Sequence, residues 1–168
     1  IDRGVIEVKT EPVPLAEIAE RALRDYRTAL KKADLSLSLE GMDNAILVEA
    51  DKEKMAESVT NAISNAIKHT KKGGLTIRLR KDEKFGYIDV TDTGEGMTPD
   101  IMGQLFSRVG IKGSNTDSAQ STGMGLFIAR NFMQLQKGDI TVSSEPGKGS
   151  TFTYSIPLAT SGLPKASS

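Results

Sequence analysis

Apolar residues recur at three- and four-residue steps along three stretches of this chain and alternate with polar residues along several others. Leu15, Ile18, Ala19, Ala22, Leu23, Tyr26, Ala29 and Leu30 keep the helical step, which predicts a helix over 15–32. A second helix is predicted over 52–70. It carries Met55, Val59, Ala62, Ile63 and Ala66 on one side, Asn61, Asn65 and Lys68 on the other, and His69 at the margin. A third is predicted over 123–136, with Met124, Phe127, Ile128, Phe132 and Leu135 inward. Residues 35–39 alternate strictly, as a half-buried strand does, and 46–49 read as a short strand. Gly73 and Gly74 end the second helix and open a hairpin of 75–80 with 87–91, and a last hairpin pairs 139–144 with 150–156 around Pro146 and Gly147. Residues 5–13, running into Pro14, read as an extended edge segment, and a short helix over 98–106 starts with Pro99 in its first turn. Residues 107–121 lack an apolar period and have the composition of a mobile loop, and the tail from Thr160 reads as disordered. Helices mixed with hairpins imply an α+β fold: a two-layer sandwich, one sheet with helices over one face.

Composition narrows the function classes. The chain has 168 residues, which fits one domain, with 22 basic and 22 acidic side chains. This balance argues against a general nucleic-acid or membrane-surface binder. The absence of cysteine removes disulfides, zinc–thiolate sites and cysteine nucleophiles. No apolar run is long enough to span a bilayer, and the chain opens on Ile1 without a signal peptide, which reads as a fragment of a longer polypeptide.

Candidate chemistry begins on the second helix. Asparagine is a mediocre helix former, so Asn61 and Asn65, one turn apart, weaken the helix without a packing reward. Their side-chain carbonyls are hard oxygen ligands suited to Mg²⁺, and Lys68 supplies a point charge for phosphates. The alternative for this face is a solvated polar stripe, and for His69, the only histidine, a helix-end packing role. Three Gly-x-Gly pairs follow, each weak alone. Gly94 and Gly96 sit in Asp92-Thr-Gly-Glu-Gly-Met97, directly after a strand. There a carboxylate can accept from an exocyclic amine such as that of adenine, and glycines admit a flat ring; a plain turn is the alternative. Gly123 and Gly125 sit in Ser121-Thr-Gly-Met-Gly-Leu126 at the predicted start of the third helix. Free N–H groups and the dipole would attract a triphosphate there; a hinge with a capping Ser121 or Thr122 is the alternative. Gly147 and Gly149 read first as a hairpin turn. No P-loop and no dinucleotide fingerprint occurs.

The order of these pieces resembles the GHKL superfamily of gyrase, heat-shock chaperone, histidine kinase and mismatch-repair ATPases. Residues 61–69 resemble its N box, 92–97 its G1 box, Leu105-Phe106 its F box, 121–126 its G2 box and 147–152 its final glycine motif. Within the superfamily the chain is similar to the catalytic domain of a sensor histidine kinase. The resemblance implies a mixed, mainly antiparallel sheet backing three helices, with ATP between helices and a lid over 98–122. It implies Asn65 as the principal Mg²⁺ ligand with Asn61 in support, and Lys68 and His69 facing the phosphates. Asp92 would bind the adenine amine, and Gly94, Gly96 and Met97 would line its slot. Thr122, Gly123, Met124, Gly125 and Leu126 would hold phosphates, Arg108 or Lys112 would reach the γ-phosphate, and Ser150 would join the nucleotide site. Residues 1–14 would be the exit from a phosphoacceptor hairpin absent from this chain, 15–159 the catalytic domain, and 160–168 a disordered tail.

Two departures stand out. Ser121 replaces the first glycine of the lid motif, and no second histidine exists to accept phosphate. Superfamily ATPases and serine kinases carry a glutamate where this chain has Asn61. An amide cannot deprotonate water or a hydroxyl, whereas an imidazole needs less help. The expectation is therefore transfer of the ATP γ-phosphoryl group to a histidine on a separate dimerisation domain of the same parent protein, with a response regulator downstream. The domain is expected in the cytoplasm, free or as the cytosolic part of a membrane receptor. It is expected to be monomeric by itself, without nucleic-acid or direct membrane contact. The alternatives are a stand-alone ATPase or protein-serine kinase, and a non-catalytic nucleotide-sensing module.

Overall fold

Side chains alternate across a strand, and here the alternation sorts cleanly into a covered and an open face. The computed structural model describes residues 7–104 and 117–159, with side chains for 7–102 and 126–159. Its main sheet has five strands in the order β2 (Ser36–Glu40), β4 (Gly74–Lys81), β5 (Phe85–Asp92), β7 (Gly149–Pro157) and β6 (Asp139–Glu145). Only β2 and β4 pair in parallel; the other pairings are antiparallel. Leu75, Ile77 and Leu79 of β4, Ile88 and Val90 of β5, Phe152, Tyr154 and Ile156 of β7 and Ile140 of β6 are all buried. The opposite positions, such as Thr91, Thr151 and Thr153, are half-buried and polar. A smaller sheet pairs β1 (Glu11–Pro14) with β3 (Leu47–Ala50), and a bridge from Val48 to Leu158 joins β3 to the continuation of β7.

Three helices form the second layer: α1 (Leu15–Leu23), α3 (Lys52–His69) and α5 (Asp117–Leu135), with α3 between the other two. Ala62, Ala66 and Ala129 are buried at this layer, where small side chains let backbones approach. The Ser58 hydroxyl donates to the Lys54 and Ala129 carbonyls and so ties α3 to α5. Asp51 caps α3 by accepting the Lys54 N–H at 3.1 Å, a contact of the N-cap kind. Tyr154 donates its hydroxyl to the Ser58 carbonyl at 2.9 Å and fastens β7 to α3.

Several boundaries differ from the sequence reading. The helix predicted over 15–32 breaks at Arg24–Tyr26 into α1 and α2 (Arg27–Lys32), because the apolar stripe turns: Leu23 and Leu30 are both buried although the chain bends between them. The third helix starts at Asp117, not Gly123. Residues 117–122 include Asp and Ser, which favour helix starts, and contain no proline to halt backward growth. Its buried stripe is Leu126, Ala129, Phe132 and Met133, with Gln136 buried just past its end, while Ile128 and Leu135, expected inward, are exposed. The short helix, α4, covers Pro99–Gln104. The one expected sheet is accompanied by the two-stranded β1–β3 sheet, since the Pro12 and Pro14 segment can pair only at an edge. Leu105-Phe106, the rest of 105–116 in the predicted lid, and the tail from Thr160 lie outside the described residues.

Candidate functional site

The helix-facing rows of the sheet run Ile88–Tyr154–Ile140 and then Val90–Phe152–Val142 across β5, β7 and β6. The next row in the same phase is Asp92–Ser150–Ser144. Three positions that the alternation reserves for apolar side chains are thus polar, and they sit together at one end of the sheet. Asp92 is 5% exposed and Ser150 7%. Burial pushes the Asp92 carboxyl above the usual carboxylate range; the N–H groups of Gly94 and Ser150 and the nearby His69 pull in the other direction. The Gly94 N–H donates to Asp92 Oδ1 at 2.9 Å. A buried acceptor of this kind suits a donor such as an exocyclic amine.

The loop after β5 is stitched to the β6–β7 turn. Met97 N–H donates to Ser144 Oγ at 2.8 Å, Ser144 Oγ lies 2.8 Å from Ser150 Oγ, and Gly147 N–H donates to the Glu95 carbonyl at 2.6 Å. The glycines serve this stitching. A Cβ on Gly96, whose φ is +73°, would fall 1.9 Å from the Glu145 carbonyl oxygen. One on Gly149, with φ +95°, would fall 2.1 Å from the Asp92 carbonyl oxygen. The sequence reading assigned Gly94 and Gly96 to the approach of a flat ring. In the structure they admit the backbone of their own chain: a Cβ on Gly94 would lie 2.5 Å from the His69 carbonyl oxygen.

α3 brings its polar residues toward this loop. Asn65 is buried, not on a solvated face, because α3 lies between two helices. Asn61 is half-buried; its amide nitrogen donates to the Glu57 carbonyl at 3.2 Å, which leaves its Oδ1 available to a cation. No three His, Asp or Glu side chains gather into a metal-binding group among the described residues, so an ion here would be held by amide and substrate oxygens. Lys68 is exposed. His69, expected to face phosphates, places Nδ1 3.2 Å from Glu95 Oε2 and so contacts the loop after β5. Gly123 and Gly125 lie inside α5, six and eight residues beyond its first, so their N–H groups are not among the unpaired four of a helix start. Leu126 is fully buried in the core. Nothing is described of the side chains of Thr122 and Met124, and Arg108 and Lys112 lie outside the described residues.

The sequence reading missed Glu95, Ser144 and Thr70. Ser144 and Ser150 were legible as polar residues in phase with Ile140 and Phe152. Thr70 follows α3 directly and its buried hydroxyl has no partner among the described residues, which no sequence pattern announces.

A family model described as "Histidine kinase-, DNA gyrase B-, and HSP90-like ATPase" matches residues 50–160. The chain is 30% identical over 159 residues to the sensor protein SrrB of Staphylococcus aureus, covering 94% of this chain but only 27% of that protein. It superposes on the nucleotide-free catalytic domain of the histidine kinase ThkA with a TM-score of 0.77 at 20% identity, covering 89% of this chain and 96% of that one. Full-length ShkA in complex with AMPPNP gives 0.76 at 22% identity, over 92% of this chain and 32% of that one. On this sequence match and this fold, the chain belongs to the histidine kinase-, DNA gyrase B- and HSP90-like ATPase family.

Proposed function

We propose that this domain binds Mg-ATP and transfers its γ-phosphoryl group to a histidine on a separate helical domain, as the catalytic unit of a sensor kinase. The observation that carries the reading is the polar row Asp92–Ser150–Ser144 at the end of an otherwise apolar sheet, facing the helix that holds Asn61 and Asn65. Asp92 accepts the purine amine, and Gly94 N–H keeps the carboxylate oriented. Met97, half-buried beside this row, walls the slot. The Asn61 and Asn65 amide oxygens would hold Mg²⁺, whose part is to neutralise phosphate charge. Lys68 adds a cation one turn on. The acceptor imidazole nitrogen attacks the γ-phosphorus as the bond to the bridging oxygen breaks; ADP departs and the ring proton passes to solvent. Neither Asn61 nor Asn65 removes a proton, which suits an imidazole better than water.

Glycines weaken a helix by about 1 kcal/mol each, so α5 is easily unwound back to Gly123. That would free N–H groups for the phosphates, with Thr122, Met124 and Gly125 beside them and Arg108 or Lys112 drawn in. The test is incubation with γ-labelled ATP and the segment preceding this domain in its parent protein. Acid-labile, base-stable label on that segment is expected. Steady phosphate release with no protein label would favour the ATPase reading instead.

A further inference from the structure

A second binding site lies on a different part of the molecule. A cavity of about 510 Å³ opens where α1 gives way to α2, lined by Glu17, Glu20, Arg21, Arg24, Arg27 and Lys52 with Ala16 and Met42. None of these residues belongs to the polar row or its loops. Its volume is that of a small-molecule site, but its mouth is wide open to solvent, so a ligand there is held by charge rather than by enclosure. Its walls carry four cations and two carboxylates.

The break between α1 and α2 makes this wall. Arg21, Arg24 and Arg27 follow one another at three-residue intervals, and the bend at Arg24–Tyr26 keeps all three on the cavity. Like charges at that spacing repel, and carboxylate partners on Arg21 and Arg27 offset this only in part. Both carboxylates are engaged with wall cations: Glu20 accepts from Arg27 at 3.0 Å and Glu17 from Lys52 at 3.1 Å. Arg21 turns to Glu53, outside the cavity, at 2.7 Å. Arg24 makes no side-chain hydrogen bond or ion pair with any described residue. These pairs are half exposed, and exposed pairs contribute little, so an incoming anion can replace them.

We propose that this cleft binds a small organic dianion, a dicarboxylate or a phosphate monoester, held by the Arg21, Arg24 and Arg27 guanidinium groups. A guanidinium fork matches either oxyanion in a bidentate fashion. With Glu53 counted against Arg21, the wall has one cation beyond its carboxylates, Arg24. A doubly charged ligand gains the rest by displacing Glu20 from Arg27 and Glu53 from Arg21, and Ala16 and Met42 offer a short apolar wall to its carbon body.

Calorimetric titration of the chain with succinate and with glycerol 3-phosphate, beside uncharged 1,4-butanediol, tests this. Saturable binding of at least one acid is expected, weakening as salt rises, with no binding of the diol. Arg24→Gln should weaken it about tenfold, because one charged fork is lost. Arg27→Gln, also at an exposed position, should do the same, and thermal melting checks that both variants fold. Mg-ATP affinity should stay the same in both. Binding of succinate alone identifies a carboxylate ligand, and of glycerol 3-phosphate alone a phosphate. Equal binding by the parent chain and both variants, or no binding of either acid, overturns the proposal.

Discussion

Asp92 holds a position that strand alternation assigns to the core, and a charge there has a thermodynamic signature. Its carboxyl is pushed up by burial, so between its ordinary and folded values the native state binds more protons than the unfolded chain. Stability contributed by this group is therefore present at low pH and falls as pH rises through that window. Asp92→Asn keeps an acceptor for Gly94 N–H and removes the charge. It should melt at or above the parent temperature at pH 7, with the gap closing as the pH falls toward the carboxylate range. The same variant should bind ATP about tenfold more weakly, since a neutral acceptor replaces a charged one. Melting curves at several pH values and calorimetry check both. Much of the site was legible at this scale: the carboxylate after a strand and the paired asparagines carry their chemistry in their residue types. His69 was not, because its contact with Glu95 joins residues 26 apart through a loop whose path no local pattern encodes.

At the level of elements, the β6–β7 turn is the support of the site rather than a simple reversal. Gly149→Ala would place a methyl group against the Asp92 carbonyl at a φ of +95°. It should cost about 3 kcal/mol in denaturant unfolding and loosen nucleotide binding with it. Tyr154→Phe removes a bond from β7 to α3 without disturbing the ring; a loss of about 1 kcal/mol is expected by the same measurement. The hairpins and α3 were read from sequence to within a residue or two, because turn glycines and a strong apolar stripe mark them. The stripe of α5 was not. Its exposed Ile128 and Leu135 compete with the buried Ala129 and Met133 for the same period, and only contact with α3 and the sheet decides between them.

For the molecule as a whole, the Mg-ATP reading makes a prediction by linkage. A ligand that binds only the folded state at one hundred times its Kd adds about 2.7 kcal/mol. For a chain of this length that raises Tm by roughly 5–10 °C. The shift should be recorded with Mg-ATP and fall sharply when EDTA removes the metal; equal shifts with and without metal would speak against a role for Asn61 and Asn65. The two-layer architecture was legible from the order of helices and hairpins, whereas the separate β1–β3 sheet was not, since pairing 33 to 39 residues apart leaves no local trace. That small sheet has a topological consequence. β1 lies on one flank of β3, and Leu158 and Ala159 bond to the other, through the Val48 bridge and the Leu47 carbonyl. The first and last described strands thus lie about 10 Å apart by strand spacing alone. A circularly permuted polypeptide, joined there by a short linker and opened at an exposed turn such as Asp82–Lys84, should fold to the same domain.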